Sequence, residues 1–121
     1  MGQSALGKSY RDLRVWNTAV SLVLEVYRIT ESLPQAERFG LASQLRRAVV
    51  SVPSNIAEGH ARSTRGEYKN ALSMARGSVA EVEVQLILAK EVGYLQPPSI
   101  KDALAYCESI SRMITRLKRA L

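Results

Sequence analysis

From Leu13 onward an apolar residue returns every three or four positions through almost the whole chain. No stretch alternates apolar and polar residues as a half-buried strand must. The pattern is clearest between Tyr68 and Ala89, where Tyr68, Leu72, Ala75, Val79, Val82, Leu86 and Ala89 step by four and three. It holds again over Ile100, Ala103, Cys107, Ile110, Ile114, Leu117 and Leu121, a repeat of three heptads. A chain patterned in this way can bury its apolar stripes only by packing helix on helix.

Four helices are predicted. The first runs from about Leu13 to Thr30, with Trp16, Ala19, Val20, Val23, Val26 and Tyr27 on its inner side, and Leu33-Pro34 ends it. The second starts near Glu37 and ends near His60, burying Leu45, Ala48, Val49, Val52 and Ile56; Gly59 suits a left-handed cap at its end. Thr64-Arg65-Gly66-Glu67 has the hydroxyl and the carboxylate of a capping box, so a third helix begins there and stops near Gly93. Pro97-Pro98 forces a turn, and Ser99, with Asp102 three residues on, caps the fourth. Short links between long helices make neighbours antiparallel, hence an all-α, up-down-up-down four-helix bundle.

The second helix carries Pro53 inside its pattern. A proline there costs about 3 kcal/mol relative to alanine, because it removes a backbone bond and crowds the preceding turn. A kink near Pro53 is therefore expected. Along the same helix Arg47, Ser51, Asn55, Glu58 and Arg62 fall on one side. One reading is a solvated face with a Glu58–Arg62 ion pair, contributing about 0.3–0.5 kcal/mol. The other is a structural polar network through Ser51, Asn55 and Glu58 that orients the helix or docks a neighbouring subunit. In that second reading the Asn55 amide bonds a carbonyl left unpaired near Pro53.

A chain of 121 residues with 46% hydrophobic content supports one domain. Residues 1–8 read as a flexible segment and 9–121 as the bundle. A single cysteine, Cys107, permits no internal disulfide, and no signal peptide or membrane-length apolar run is present, so a cytoplasmic protein is expected. Catalysis finds no support. His60 is the only histidine, no metal-ligand spacing occurs, no glycine-rich phosphate loop is present and no nucleophile has a matched base. The expectation is a protein that is not an enzyme and takes no cofactor or metal.

Charge is informative through its distribution. The formal net charge is +6. Segment 38–76 holds Arg38, Arg46, Arg47, Arg62, Arg65, Lys69 and Arg76 against Glu58 and Glu67, whereas segment 77–108 is acidic. Arg46, Arg47, Arg62, Arg65, Lys69 and Arg76 are candidate phosphate contacts for RNA or DNA, of the sequence-independent and salt-dependent kind. The same charges serve equally as contacts between subunits. Arg112, Arg116, Lys118 and Arg119 need no ligand, since cations are favoured in the last turns of a helix.

Three motifs are distinctive: SYRDLRVWNTA (Ser9–Ala19), RFGLASQLRRAVVSVPSNIAEGHAR (Arg38–Arg62) and ARGSVAEVEVQLILAKEVGYL (Ala75–Leu95). Through them the chain resembles the bacterial four-helix-bundle family encoded by intervening sequences of 23S ribosomal RNA genes. The resemblance covers nearly everything from Ser9 onward, and SVPSNIAEG (Ser51–Gly59) is its most specific part. It implies a left-handed antiparallel bundle that associates as a ring-shaped homopentamer, and it does not imply an enzyme. The family is similar to the accessory protein of diversity-generating retroelements, a pentameric barrel that binds nucleic acid, which implies a nucleic-acid role here. A structural adaptor that docks a protein partner is the alternative.

Overall fold

The computed structural model describes residues 9–121; the segment 1–8, expected to be flexible, lies outside the described residues. A 3-10 turn, Tyr10–Asp12, leads into α1 (Arg14–Thr30), and a second, Gln35–Glu37, leads toward α2 (Leu41–His60). Two further helices follow, α3 (Arg65–Val92) and α4 (Pro97–Ala120), and the described residues contain no strand. Each helix packs on the next and α4 closes back on α1, while the backbones of diagonal helices stay further apart among the described residues.

Neighbours run antiparallel. The end of α1 meets the start of α2, where Arg46 Nε donates to the Thr30 hydroxyl at 2.9 Å. Between α2 and α3, Gly59 lies against Ala71, Ser51 against Ser78 and Gln44 against Gln85, so one helix descends in number as the other climbs. Lys118 of α4 reaches Ser73 of α3 in the same sense. The bundle is up-down-up-down.

Local chemistry explains the boundaries. Thr64 and Glu67 form the expected capping box at the start of α3. At the other end, Gly93 takes φ +98°, while Tyr94 N–H donates to the Ala89 carbonyl and Gly93 N–H to that of Lys90, the two bonds of a Schellman stop. The start of α2 falls at Leu41, later than the pattern suggests, because the Glu37 carboxylate caps it from outside by accepting from Leu41 N–H. α4 begins at Pro97, not beyond Ser99. Prolines fit a first helical turn, whose N–H groups have no partner in any case. Pro53 sits within α2, which continues through it.

The core is the sum of the four stripes. Leu45, Ala48, Val49, Val52 and Ile56 are buried as expected, as are all seven expected positions of α3 and Ile100, Ala103, Cys107, Ile110 and Ile114 of α4. In α1 Ala19 and Val26 are buried as expected, but Val15, Leu22 and Ile29 complete the buried side and Tyr27 is exposed. Trp16, Val20 and Val23 instead line an apolar surface groove of about 330 Å³ with Val50, Pro53 and Ala57. α1 is apolar on most of its circumference, so periodicity alone leaves its inward side ambiguous.

Gly59 is not a left-handed cap; among the described residues only Gly93 has positive φ. A Cβ on Gly59 would lie 2.6 Å from Ala71 Cβ and 3.1 Å from Tyr68 Cδ1. The glycine therefore permits a close approach of α2 and α3. Gly59→Ala is expected to lose about 1–3 kcal/mol of stability through overpacking, read as a lower urea midpoint with unchanged slope. An unchanged midpoint would show that the two helices are free to separate at this corner.

Tyr68 is buried and its hydroxyl has no hydrogen-bond partner. Burial raises its pKa above the ordinary 10.0. Tyr94 is raised too, first by its hydrogen bond to Glu37, then by that carboxylate's charge and by burial. A phenol whose folded pKa is raised contributes stability that is whole below its unfolded pKa and lost as pH rises through the folded one. Stability should thus fall above about pH 10. Tyr68→Phe should lessen that fall and leave stability at neutral pH the same or up to about 1 kcal/mol higher, because the unmade bond disappears. Denaturation curves at neutral and alkaline pH check both statements.

Candidate nucleic-acid interface

Antiparallel packing sorts the charges by end. The N-terminal halves of α1 and α3, with the C-terminal halves of α2 and α4, form one end of the bundle. That end, with its preceding turn and the α2–α3 link, holds Arg11, Arg14, Arg62, Arg65, Lys69, Arg76, Arg112, Arg116, Lys118 and Arg119. Against them stand Asp12, Glu58, Glu67 and Glu108. The other end is near balance, with Arg28, Arg38, Arg46, Arg47, Lys90 and Lys101 facing Glu25, Glu31, Glu37, Glu81, Glu83, Glu91 and Asp102. The surplus positive charge of the described residues therefore sits at one end.

The six basic residues singled out from the sequence fall into separate places. Arg46 is committed to packing: besides its bond to Thr30, its guanidinium lies 4.9 Å from the centre of the Tyr27 ring. Arg47 belongs to the balanced end, in a groove of about 460 Å³ shared with Gln44, Ala48, Ser51 and Glu81. Arg62 pairs with Glu58 at 3.1 Å, both about half exposed. Arg65 and Lys69 are exposed on the first turns of α3 and enter no ion pair among the described residues.

Arg76 is the one that meets a second basic element. It lines an open groove of about 300 Å³ with Ser111, Arg112, Thr115, Arg116 and Arg119 of α4. Periodicity places the three α4 arginines on one side of their helix. The missing information was which helix lies opposite and in what register, which follows from the antiparallel α3–α4 pair. Lys118 is diverted to the Ser73 hydroxyl at 2.6 Å.

The polar line of α2 separates into two parts. Ser51 Oγ lies 2.6 Å from Ser78 Oγ and 2.7 Å from the Ala48 carbonyl, tying α2 to α3. Asn55 Nδ2 donates to the Ser51 carbonyl at 2.8 Å. That is not the Val49 carbonyl, which loses its helical donor to Pro53. Glu58 takes no part and pairs with Arg62. About two turns beyond Ser78 along α3, Gln85 is buried, its amide donating to Gln44 and Glu81, and its Oε1 has no partner.

Groups with catalytic potential are dispersed or silent. Burial, and secondarily the charge of Glu83, push the Cys107 thiol up to about 12, far from a thiolate at neutral pH. His60 stacks edge-on against Tyr68, ring centres 5.8 Å apart. Among the described residues no three His, Cys, Asp or Glu side chains gather as a metal site would need, and no helix is long and apolar enough to cross a membrane.

Among solved structures, a protein of unknown function from the S23 ribosomal protein family of Bacteroides thetaiotaomicron is similar, with a TM-score of 0.80 at 18% identity. The match covers 86% of this chain and 97% of that one, and at this identity it speaks for the fold alone. Comparison with curated proteins gives no match. The family model described as 23S rRNA-intervening sequence protein matches residues 11–116, the whole bundle but for the last residues of α4. The chain belongs to the 23S rRNA-intervening sequence protein family.

Proposed function

We propose that this protein is a non-enzymatic, self-assembling cytoplasmic bundle that holds RNA or DNA through a basic surface. The observation that supports it best is the charge surplus gathered at one end of the fold. Of the cations there, Arg65, Lys69, Arg76, Arg116 and Arg119 have no carboxylate partner among the described residues. Unneutralised cations of this kind attract a polyanion, and binding by release of its counterions weakens steeply with salt.

Self-assembly is supported by apolar surface that a lone bundle has no use for. Val84, Ile87, Leu88 and Val92 form a stripe on the outside of α3, between 41% and 62% exposed. A different apolar surface, the groove beside Trp16, Val20 and Val50, lies on the α1–α2 side. Two unlike patches on one protomer suit head-to-tail association, which closes into a ring when the rotation permits. The number five comes from the family resemblance.

The adaptor reading has one observation of its own. The groove shared by Gln44, Arg47, Ser51 and Glu81 offers both signs of charge and a hydroxyl, a surface fit for polar groups of a protein partner. If that groove joins subunits or a partner, Arg47→Glu should dissociate the complex.

Titration of a labelled single strand against the protein at several salt concentrations tests the nucleic-acid reading. Affinity should fall linearly on a log–log plot against salt, and binding that is absent at low salt, or indifferent to salt, would sink it. Sedimentation tests assembly. The native chain should sediment as a multiple of its 13.4 kDa protomer, and Val84→Asp with Leu88→Asp should release monomers. A native monomer at every salt concentration would refute the assembly.

A further inference from the structure

The α3–α4 groove concentrates like charge where the fold gains nothing from it. Arg112 and Arg116 are four residues apart and Arg119 three further on, so three cations share one stripe of α4, and Arg76 faces them from α3. Like charges at this spacing destabilise a helix. The helix dipole rewards cations in the last turn, which accounts for Arg119 but neither for Arg112, two turns earlier, nor for Arg76, which sits mid-way along another helix. Packing does not require them either, since all four are exposed and the core of α4 is built by Ile110 and Ile114. Only Arg112 has an acidic neighbour, Glu108 at 3.5 Å, and both partners are more than half exposed, so the pair is weak.

The chemistry of the groove fits phosphodiesters. Guanidinium groups grip phosphate oxygens in bidentate fashion, which an ammonium cannot do. Ser111 lines the same groove with a hydroxyl free to donate. Along α4 the arginines rise by about 6 Å and then about 4.5 Å, a ladder of donors on the scale of successive phosphates in one strand. No aromatic side chain lines the groove, so it offers no platform on which to stack bases.

We infer that the groove between α3 and α4 is the seat of a nucleic-acid strand, with Arg76, Arg112, Arg116 and Arg119 gripping consecutive backbone phosphates without reading sequence. The inference rests on the nucleic-acid reading above and places the strand away from Arg62 and the balanced-end residues Arg46 and Arg47. Arg65 and Lys69, on the first turns of α3, become long-range attraction rather than grip.

The test is fluorescence anisotropy with a twenty-residue oligothymidylate and the matching oligouridylate, using the full chain. Arg112→Gln, Arg116→Gln and Arg119→Gln together should weaken both by about tenfold or more at low salt and reduce the salt slope by about 2, as the loss of three phosphate contacts requires. Arg65→Gln with Lys69→Gln should stay within about threefold of the native protein, since screening weakens charges that lie beyond contact. A second measurement needs no variant: the arginine Nε–H resonances of Arg76, Arg112, Arg116 and Arg119 should shift on adding the oligothymidylate, while that of Arg65 should not. If the triple variant binds like the native chain while the Arg65/Lys69 variant loses affinity, the groove is wrong and the nucleic-acid reading survives. If the native chain binds neither strand at low salt, both fall.

Discussion

The close approach of Gly59 to Ala71 and Tyr68 sets the register on which the rest of the bundle depends. Without a Cβ at Gly59 the end of α2 lies directly against the start of α3, and only a short link, residues 61–64, separates the two helices. From that corner every later pairing is fixed by the rise per residue: Ser51 meets Ser78, then Gln44 meets Gln85. Once α3 is placed, the Schellman stop at Gly93 and the first-turn prolines of α4 send the chain back along it. Arg76 then faces the arginines of α4. The basic groove is thus a consequence of a register set by a missing methyl group at the bundle's corner.

Where the sequence could be read and where it could not follow from the same physics. The inward stripes of α3 and α4 keep unbroken steps of three and four, so all seven expected positions of α3 and the first five of α4 are buried, even though α3 carries a second apolar stripe on its outer side. α1 has apolar residues on more than one side, and Trp16, Val20, Val23 and Tyr27 were as plausible inward as Val15, Leu22 and Ile29. The outer set is apolar because it lines a surface groove, a need that lies outside the protomer's own core. Arg46 looked like a surface cation for a related reason. Its stem and guanidinium pack on Tyr27 and Thr30, residues sixteen or more positions away, which helical spacing cannot bring together. The helix dipole offered a local explanation for the α4 arginines that reaches Arg119 but not Arg112, and the tertiary placement of Arg76 beside them leaves it further incomplete.

Pro53 illustrates how a local cost is absorbed. Its ring removes the donor that Val49's carbonyl would otherwise receive. The carbonyls of Ala48 and Ser51, on either side of that rung, each gain a side-chain donor, from the Ser51 hydroxyl and the Asn55 amide. The Ser51 hydroxyl also meets Ser78, so the same short polar segment fastens α2 to α3. Pro53 itself lines the apolar groove with Val20 and Val23, surface that association with another copy would cover. The motif SVPSNIAEG thereby combines a tolerated proline, an interhelical hydroxyl pair and the glycine that sets the corner.

α3 divides lengthwise in a way that lets assembly and binding coexist. Its C-terminal half exposes Val84, Ile87, Leu88 and Val92, whereas its N-terminal half carries Arg65, Lys69 and Arg76. In the assembly proposed above, a contact through the apolar half of α3 would leave the basic half of each protomer, and the α4 arginines beside it, uncovered by that contact. Each groove alone offers a few exposed cations, whose contacts are weakened by salt. Several such grooves in one assembly would act on a single strand as linked sites, and the effective concentration of the second contact would raise overall affinity without any new chemistry. On the proposed reading, assembly through one half of α3 and phosphate binding through the other would be coupled. A variant that breaks the ring while sparing every arginine should bind strands more weakly, to an extent that grows with strand length.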